Sequence, residues 1–243
     1  VPELTLLGVG SADSIRHFNT NALITTGDGR MLIDAGHTIG RALDRVGLSC
    51  RDIDAVFVTH CHADHIYGLE RIGSERLFAG LPRPRLIAHR SLETELWDQS
   101  LKGSMGRIGE GECSLATYFD VDWLDDDAVF SVGAVDFQLF AADHTPGKAC
   151  FGVMINGHLM YSGDTRPLPA VVQRYQPAMI LHDFTMHEAN PVHATLSQLL
   201  AAYPVSVRQR MKLMSYEDDV ASVRDAVNAS FMGLAEQGET VAL

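Results

Sequence analysis

Short apolar runs alternate with polar, glycine-punctuated segments along the chain, and the runs predict strands. Leu4-Thr5-Leu6-Leu7-Gly8-Val9-Gly10 reads as a strand ending in a glycine turn. Residues 22–26 and 30–34 flank Gly27-Asp28-Gly29, whose Asp-Gly pair marks a hairpin. Residues 54–59 form one apolar run of the length of a buried strand, leading straight into His60. Residues 85–88 give another strand, and residues 38–46 and 91–98 predict helices. In the second half, residues 135–141 alternate as a strand does. Residues 151–155, 159–161 and 179–181 read as further strands, and 195–202 and 218–232 carry helical spacing. Strands come first as hairpins and then mix with helices in each half. That order predicts an α/β fold of two sheets packed face to face with helices outside.

The length of 243 residues allows one large domain or two small ones, at about 100–200 residues per domain. No repeat, low-complexity tract or proline-rich linker divides the chain, so a single domain over 1–243 is expected. Hydrophobic residues are 46% and charged residues 21%, an ordinary globular balance that argues against disorder. No apolar run reaches about 18 residues, so no transmembrane helix is expected. The opening Val1-Pro2-Glu3-Leu4-Thr5 lacks the basic start and apolar core of a signal peptide. Nineteen basic and 31 acidic side chains give a net charge of −12. That disfavours long nucleic acid as a partner, because Lys and Arg supply most non-specific affinity for phosphates. Cys50, Cys61, Cys113 and Cys150 form no C-x-x-C pair and read as reduced thiols of a cytoplasmic protein.

The chemistry concentrates in Thr59-His60-Cys61-His62-Ala63-Asp64-His65. Three imidazoles and a carboxylate lie within six residues, directly after a buried strand, where a tight loop can aim them at one centre. Imidazole and carboxylate are good ligands for zinc and similar divalent ions. Cys61 reads as a spacer. His17, His37, His89 and His158 belong to no comparable motif and read as structural or solvent-facing.

The segment resembles the H-x-H-x-D-H signature of the metallo-β-lactamase superfamily. The likeness extends to Asp34-Ala35-Gly36, similar to the family's early D-x-G, to His144 in Ala142–Gly147, and to Asp164 in Tyr161–Thr165. It implies the αββα sandwich, with His60, His62 and His144 on one metal, Asp64 and His65 on a second, and Asp164 bridging. Asp34 would then support the site from behind. The aspartate at position 164 sets the chain apart from β-lactamases that use cysteine there.

Beyond Asp164 the chain resembles ribonuclease Z-like phosphodiesterases, in Leu181-His182-Asp183-Phe184 and in Pro191-Val192-His193-Ala194-Thr195. This likeness implies His193 as general acid and Asp183 as its orienter, a pairing that suits protonation of a leaving oxygen. Two stretches are similar to a narrower group, the anti-Pycsar phosphodiesterases that cleave cyclic mononucleotides. They are Leu96–Met105, which leads into a glycine-rich, lid-like loop near 98–113, and Met211–Asp218. Where that group has its last metal histidine, this chain has Ser215, and no histidine follows His193. Serine is a poor zinc ligand beside imidazole. The second metal therefore keeps Asp64, His65 and Asp164 with water, or recruits His182 or His187, or is weakly held.

The resulting expectation is a two-zinc phosphodiesterase for 3′,5′-cyclic mononucleotides, with catalytic roles for Asp64, His193 and Asp183. A homodimer is implied by the same likeness. The competing readings are a ribonuclease Z-type tRNA 3′ endonuclease, a thioester or lactone hydrolase on the same scaffold, and a silent nucleotide-binding protein.

Overall fold

The computed structural model describes residues 1–243. Sixteen strands follow in order: β1 (Glu3–Gly8), β2 (Asn21–Thr25), β3 (Arg30–Ile33), β4 (Ala55–Val58), β5 (Arg85–His89), β6 (Arg107–Ile108), β7 (Gly111–Glu112) and β8 (Asp120–Leu124), then β9 (Val129–Val132), β10 (Val135–Ala141), β11 (Phe151–Ile155), β12 (Leu159–Tyr161), β13 (Met179–Asp183), β14 (Met211–Met214), β15 (Gly233–Leu234) and β16 (Thr240–Ala242). One sheet runs β16-β1-β2-β3-β4-β5-β8 and the other β15-β14-β13-β12-β11-β10-β9. Strands β6 and β7 make a separate hairpin.

Each sheet changes character along its width. In the first, β1 to β3 pair antiparallel, while β3, β4, β5 and β8 are parallel. In the second, β9 to β12 are antiparallel and β12 to β15 parallel. Parallel pairs need crossovers, which helices supply on the outer faces. That is why β4 (AVFV) and β12 (LMY) are buried along their whole length instead of alternating. The inner faces meet through aromatic rings: Phe57 of β4 stacks on Phe130 of β9 at 5.4 Å, and Phe130 on Phe137 of β10 at 4.9 Å.

At one end the sheets are also joined by backbone hydrogen bonds. Phe151 N donates to Thr59 O at 3.0 Å, Tyr216 N to Val9 O at 3.1 Å, and Ser11 N to Tyr216 O at 3.0 Å. The segments leaving β1, β3, β4, β10, β12, β13 and β14 emerge at this end, and they carry the candidate chemistry.

Two expectations change. The segment near 98–113 is helical as far as Met105, passing through a wide π turn at Trp97–Leu101. It is ordered from below by Tyr118, whose Oη donates to Met105 O at 2.8 Å, and it continues as the β6–β7 hairpin. The helix expected over 218–232 shortens to Arg224–Ser230, because Met232 N donates to Met211 O and carries the chain into β15. No helix is long and apolar enough to cross a membrane.

Phe57 is fully buried at the junction of the two sheets. Phe57→Ala should therefore cost about 3–5 kcal/mol of stability. Urea unfolding would show it as a lower midpoint with an unchanged slope.

Candidate metal centre

The site is built on Asp34, at the end of β3, and on the loop that leaves β4. Asp34 takes a left-handed backbone with φ 63° and is fully buried. Such conformations cost a non-glycine residue roughly 1–3 kcal/mol and gather at functional sites. Two residues on, Gly36 lies so close to the loop that a Cβ there would sit 1.8 Å from the Asp64 carbonyl oxygen. The D-x-G spacing thus places a carboxylate under the loop and lets the loop close over it.

Asp34 Oδ1 accepts from Thr59 N at 2.8 Å, and Oδ2 accepts from Thr59 Oγ1 at 2.7 Å and His65 Nδ1 at 2.7 Å. The Thr59 hydroxyl proton is spent on Asp34, so the 3.0 Å contact between Thr59 Oγ1 and His60 has Nδ1–H donating. One carboxylate thereby orients two imidazoles, leaving Nε2 of His60 bare and turning Nε2 of His65 toward the cluster. His144 is fixed in the same sense, with Nδ1–H donating to the Val192 carbonyl at 3.1 Å.

The bare nitrogens converge. His62 Nδ1 stands 2.9 Å from His60 Nε2 and 3.2 Å from His144 Nε2. His62 has at most one proton to offer from that atom, so the three nitrogens cannot all be satisfied among themselves. A cation at their centre would satisfy all three. Beside them, His65 Nε2 lies 3.2 Å from both Asp64 Oδ2 and Asp164 Oδ2. Asp164 Oδ2 is 3.9 Å from Nε2 of His60 and of His144, and its Oδ1 is buried without a partner. Asp164 thus faces both groups, as a bridging ligand must.

Electrostatics points the same way. Burial works against a charged His65, yet Asp164, Asp34 and Asp64 outweigh it and hold the imidazolium well above its ordinary pKa. Burial disfavours the Asp164 carboxylate too, and His65 reverses this, keeping its carboxyl well below the usual range. Burial, with the neighbouring imidazoles adding to it, keeps His60 and His62 in the neutral, ligating form. A proton on His65 fills a place that seeks positive charge, and metal binding would displace it.

A second pair borders the cluster. Asp183 is fully buried at the end of β13, and its Oδ2 accepts from Thr165 N at 2.8 Å and His193 Nδ1 at 2.8 Å. Burial lowers the His193 pKa, but Asp183, by charge and hydrogen bond, and then Asp164 push it up to about 9. His193 Nδ1 is 4.0 Å from Asp164 Oδ2, which places this pair at the edge of the donor set.

His60, His62, Asp64, His65, His144 and Asp164 lie together here with the Asp183–His193 pair beside them, and the alternatives for the last ligand separate. His182 is buried away from the cluster, with Nε2 on Tyr203 Oη at 3.0 Å and Nδ1 on Asp183 O at 2.8 Å. The His187 side chain is 65% exposed and 3.9 Å from Glu217. Neither joins the donors. Ser215 does border them: it is 5% exposed, has φ 69°, and its Oγ is without a partner. The cavity over the cluster, about 100 Å³, is lined by His62, Asp64, His65, His144, Asp164, His193 and Ser215. Gly10, Ser11 and Thr20 also border it, from the side of the first sheet. The sequence reading passed over these three and the Thr59 relay, since a hydroxyl beside a motif carries no signal until the fold brings Asp34 beneath it.

Residues 2–241 match the family described as Anti-Pycsar protein Apyc1. A relative of that description from Paenibacillus xerothermodurans is 34% identical over 223 residues, covering 90% of this chain and 89% of its own. Among solved structures, a diphosphatase from the PhnP family is similar with a TM-score of 0.80 at 17% identity, over 100% of this chain and 98% of the other. The metallo-beta-lactamase fold protein YhfI from Bacillus subtilis follows with a TM-score of 0.78 at 14% identity, over 100% of both chains. The expected αββα sandwich is therefore the observed fold. On that fold the donor set is one that could hold divalent metal ions.

Asp34→Asn tests the tautomer argument. The new amide nitrogen would donate to His65 Nδ1 and drive the ring proton onto Nε2, the atom aimed at Asp64 and Asp164. Affinity for a divalent ion should fall about 10–100-fold in a chain that still folds. Competition with a chromophoric chelator measures the first, and circular dichroism the second.

Proposed function

We propose, from the premise that the chain belongs to the Anti-Pycsar Apyc1 family, that it is a metal-dependent phosphodiesterase of small cyclic nucleotides. The observation that carries this reading is the Asp183–His193 pair beside the donor cluster. Water attacking an activated acyl carbon needs little help with the leaving group. A phosphodiester expels an alkoxide, and a histidine held protonated next to the reacting centre meets that need.

His60, His62 and His144, with Asp164 shared, would hold one divalent ion, and Asp64 and His65 would hold the other with the second face of Asp164. Such ions, zinc being the chemically natural choice, supply positive charge for the phosphoryl oxygens and make water acidic enough to attack phosphorus. Asp64 orients the attacking water. Asp183 accepts from Nδ1 of His193 and turns Nε2 outward, and that nitrogen gives its proton to the leaving 3′ oxygen. Ser215 supplies a hydroxyl where the resembled phosphodiesterases have an imidazole, so the second ion is held more weakly than the first.

The net charge of −12 supports a small anion over tRNA, because the required positive charge sits at the metals and not on the surface. The relatives' name, Anti-Pycsar, supports a cyclic nucleotide in particular. We further propose that the protein works in the cytoplasm as a homodimer.

Metal-loaded protein should convert 3′,5′-cyclic AMP, GMP, CMP or UMP to the 5′-monophosphate, read by chromatography. His193→Ala should slow this about 10²–10⁴-fold. The same variant should slow a p-nitrophenyl phosphodiester, whose leaving group needs no proton, by less than about tenfold. Equal losses on both substrates, or no turnover of any cyclic nucleotide by the parent protein, would sink the reading.

A further inference from the structure

A cavity of about 290 Å³ lies between the helix Pro169–Tyr175 and the segment 202–210 that leads into β14. None of its lining residues borders the cavity over the donor cluster. Its inner wall is apolar, with Val172, Tyr203 and Val207 all buried. Gln173 and Gln176 stand exposed at its rim. No acidic side chain lines it, and Arg210 is its one charged group. In a chain with a net charge of −12, this is a local reversal of sign.

Arg210 is the feature that calls for a ligand. Its Nη1 donates to the Pro177 carbonyl, which anchors the head group against the chain. Its Nε is buried without a partner. Nearly all buried polar groups find a partner, so an orphaned donor beside a cavity points to an acceptor that a ligand brings. The neighbouring Arg208 shows the contrast: its Nε donates to Tyr203 O at 3.0 Å and its Nη1 to Ser230 O at 3.1 Å. The chain's own carbonyls thus answer Arg208 in full and Arg210 only in part. With Nη1 taken, the edge left on Arg210 is that of Nε and Nη2. A guanidinium grips a carboxylate along such an edge with two parallel hydrogen bonds.

We infer that this cavity binds a small monocarboxylate with an apolar body, its head group on Arg210 and its tail against Val172, Tyr203 and Val207. One cation suits one negative charge, and the apolar wall gains from each methylene it covers. Small-molecule sites commonly pair such a surface with a few fixed polar groups. The site is separate from the donor cluster, so the inference stands or falls apart from the phosphodiesterase reading.

Calorimetric titration of the metal-loaded protein with hexanoate tests it, with acetate and hexanamide as controls. Hexanoate should bind at least about tenfold more tightly than acetate, which lacks the body, and than hexanamide, which lacks the charge. Arg210→Gln should weaken hexanoate about tenfold. Gln173→Glu sets a like charge on the exposed rim without disturbing the core, and should weaken hexanoate about threefold to tenfold. This second variant keeps the test decisive where loss of the Pro177 contact unfolds the first. Hexanoate bound no more tightly than both controls would overturn the assignment. So would an affinity that either substitution leaves unmoved in a folded chain, because the carboxylate would then sit elsewhere, as on a bound metal.

Discussion

The buried carboxylate of Asp34 is the constraint on which the centre depends. It touches no substrate and points away from the cavity, yet its two oxygens set Thr59, His60 and His65 at once. Remove that anchor and the imidazoles keep their places on the loop but lose the protonation pattern that makes them ligands. Placing a carboxylate there is costly: it is fully buried, and burial pushes its carboxyl up toward the neutral form while His65 pulls it back. Three hydrogen bonds from Thr59 and His65 therefore converge on one side chain, and the tight approach at Gly36 holds the loop against it.

The same logic recurs in the second sheet. Asp183 is as deeply buried and uses one oxygen to hold both Thr165, beside Asp164, and His193. Each sheet thus contributes an aspartate at a strand end that orients imidazoles over the gap between the sheets. Backbone hydrogen bonds join the sheets at that end, so the two halves of the site are held at fixed separation. The arrangement is symmetric in principle and unequal in detail, because on one side the donors border only the Ser215 hydroxyl. One side of the cluster is rich in nitrogen, and the other has carboxylates.

Contiguous chemistry was legible in the sequence. His60, His62, Asp64 and His65 share one loop after one strand, so spacing alone announced a cation site. His144, Asp164, Asp183 and His193 were legible through resemblance only, since nothing in their local spacing brings them to His60. The hairpins, the buried strand at 55–58 and the helix at Ile39–Arg45 followed from periodicity and turn residues. The helix Leu69–Phe78 did not, because Gly73 lowers its helix propensity. The fold needs that glycine, since a Cβ there would meet Tyr118 and Phe119 at about 3 Å. Strand β8, with its run of polar and aromatic residues on a sheet edge, likewise has no clear alternation to read.

The central claim is that these side chains form one cation centre with unequal halves. Elemental analysis of the protein, dialysed against metal-free buffer and then titrated with zinc, tests it most directly. The account predicts one ion per chain surviving dialysis and a second taken up only in excess zinc. A chain that retains no divalent ion, or that fills two places with equal affinity, would contradict it.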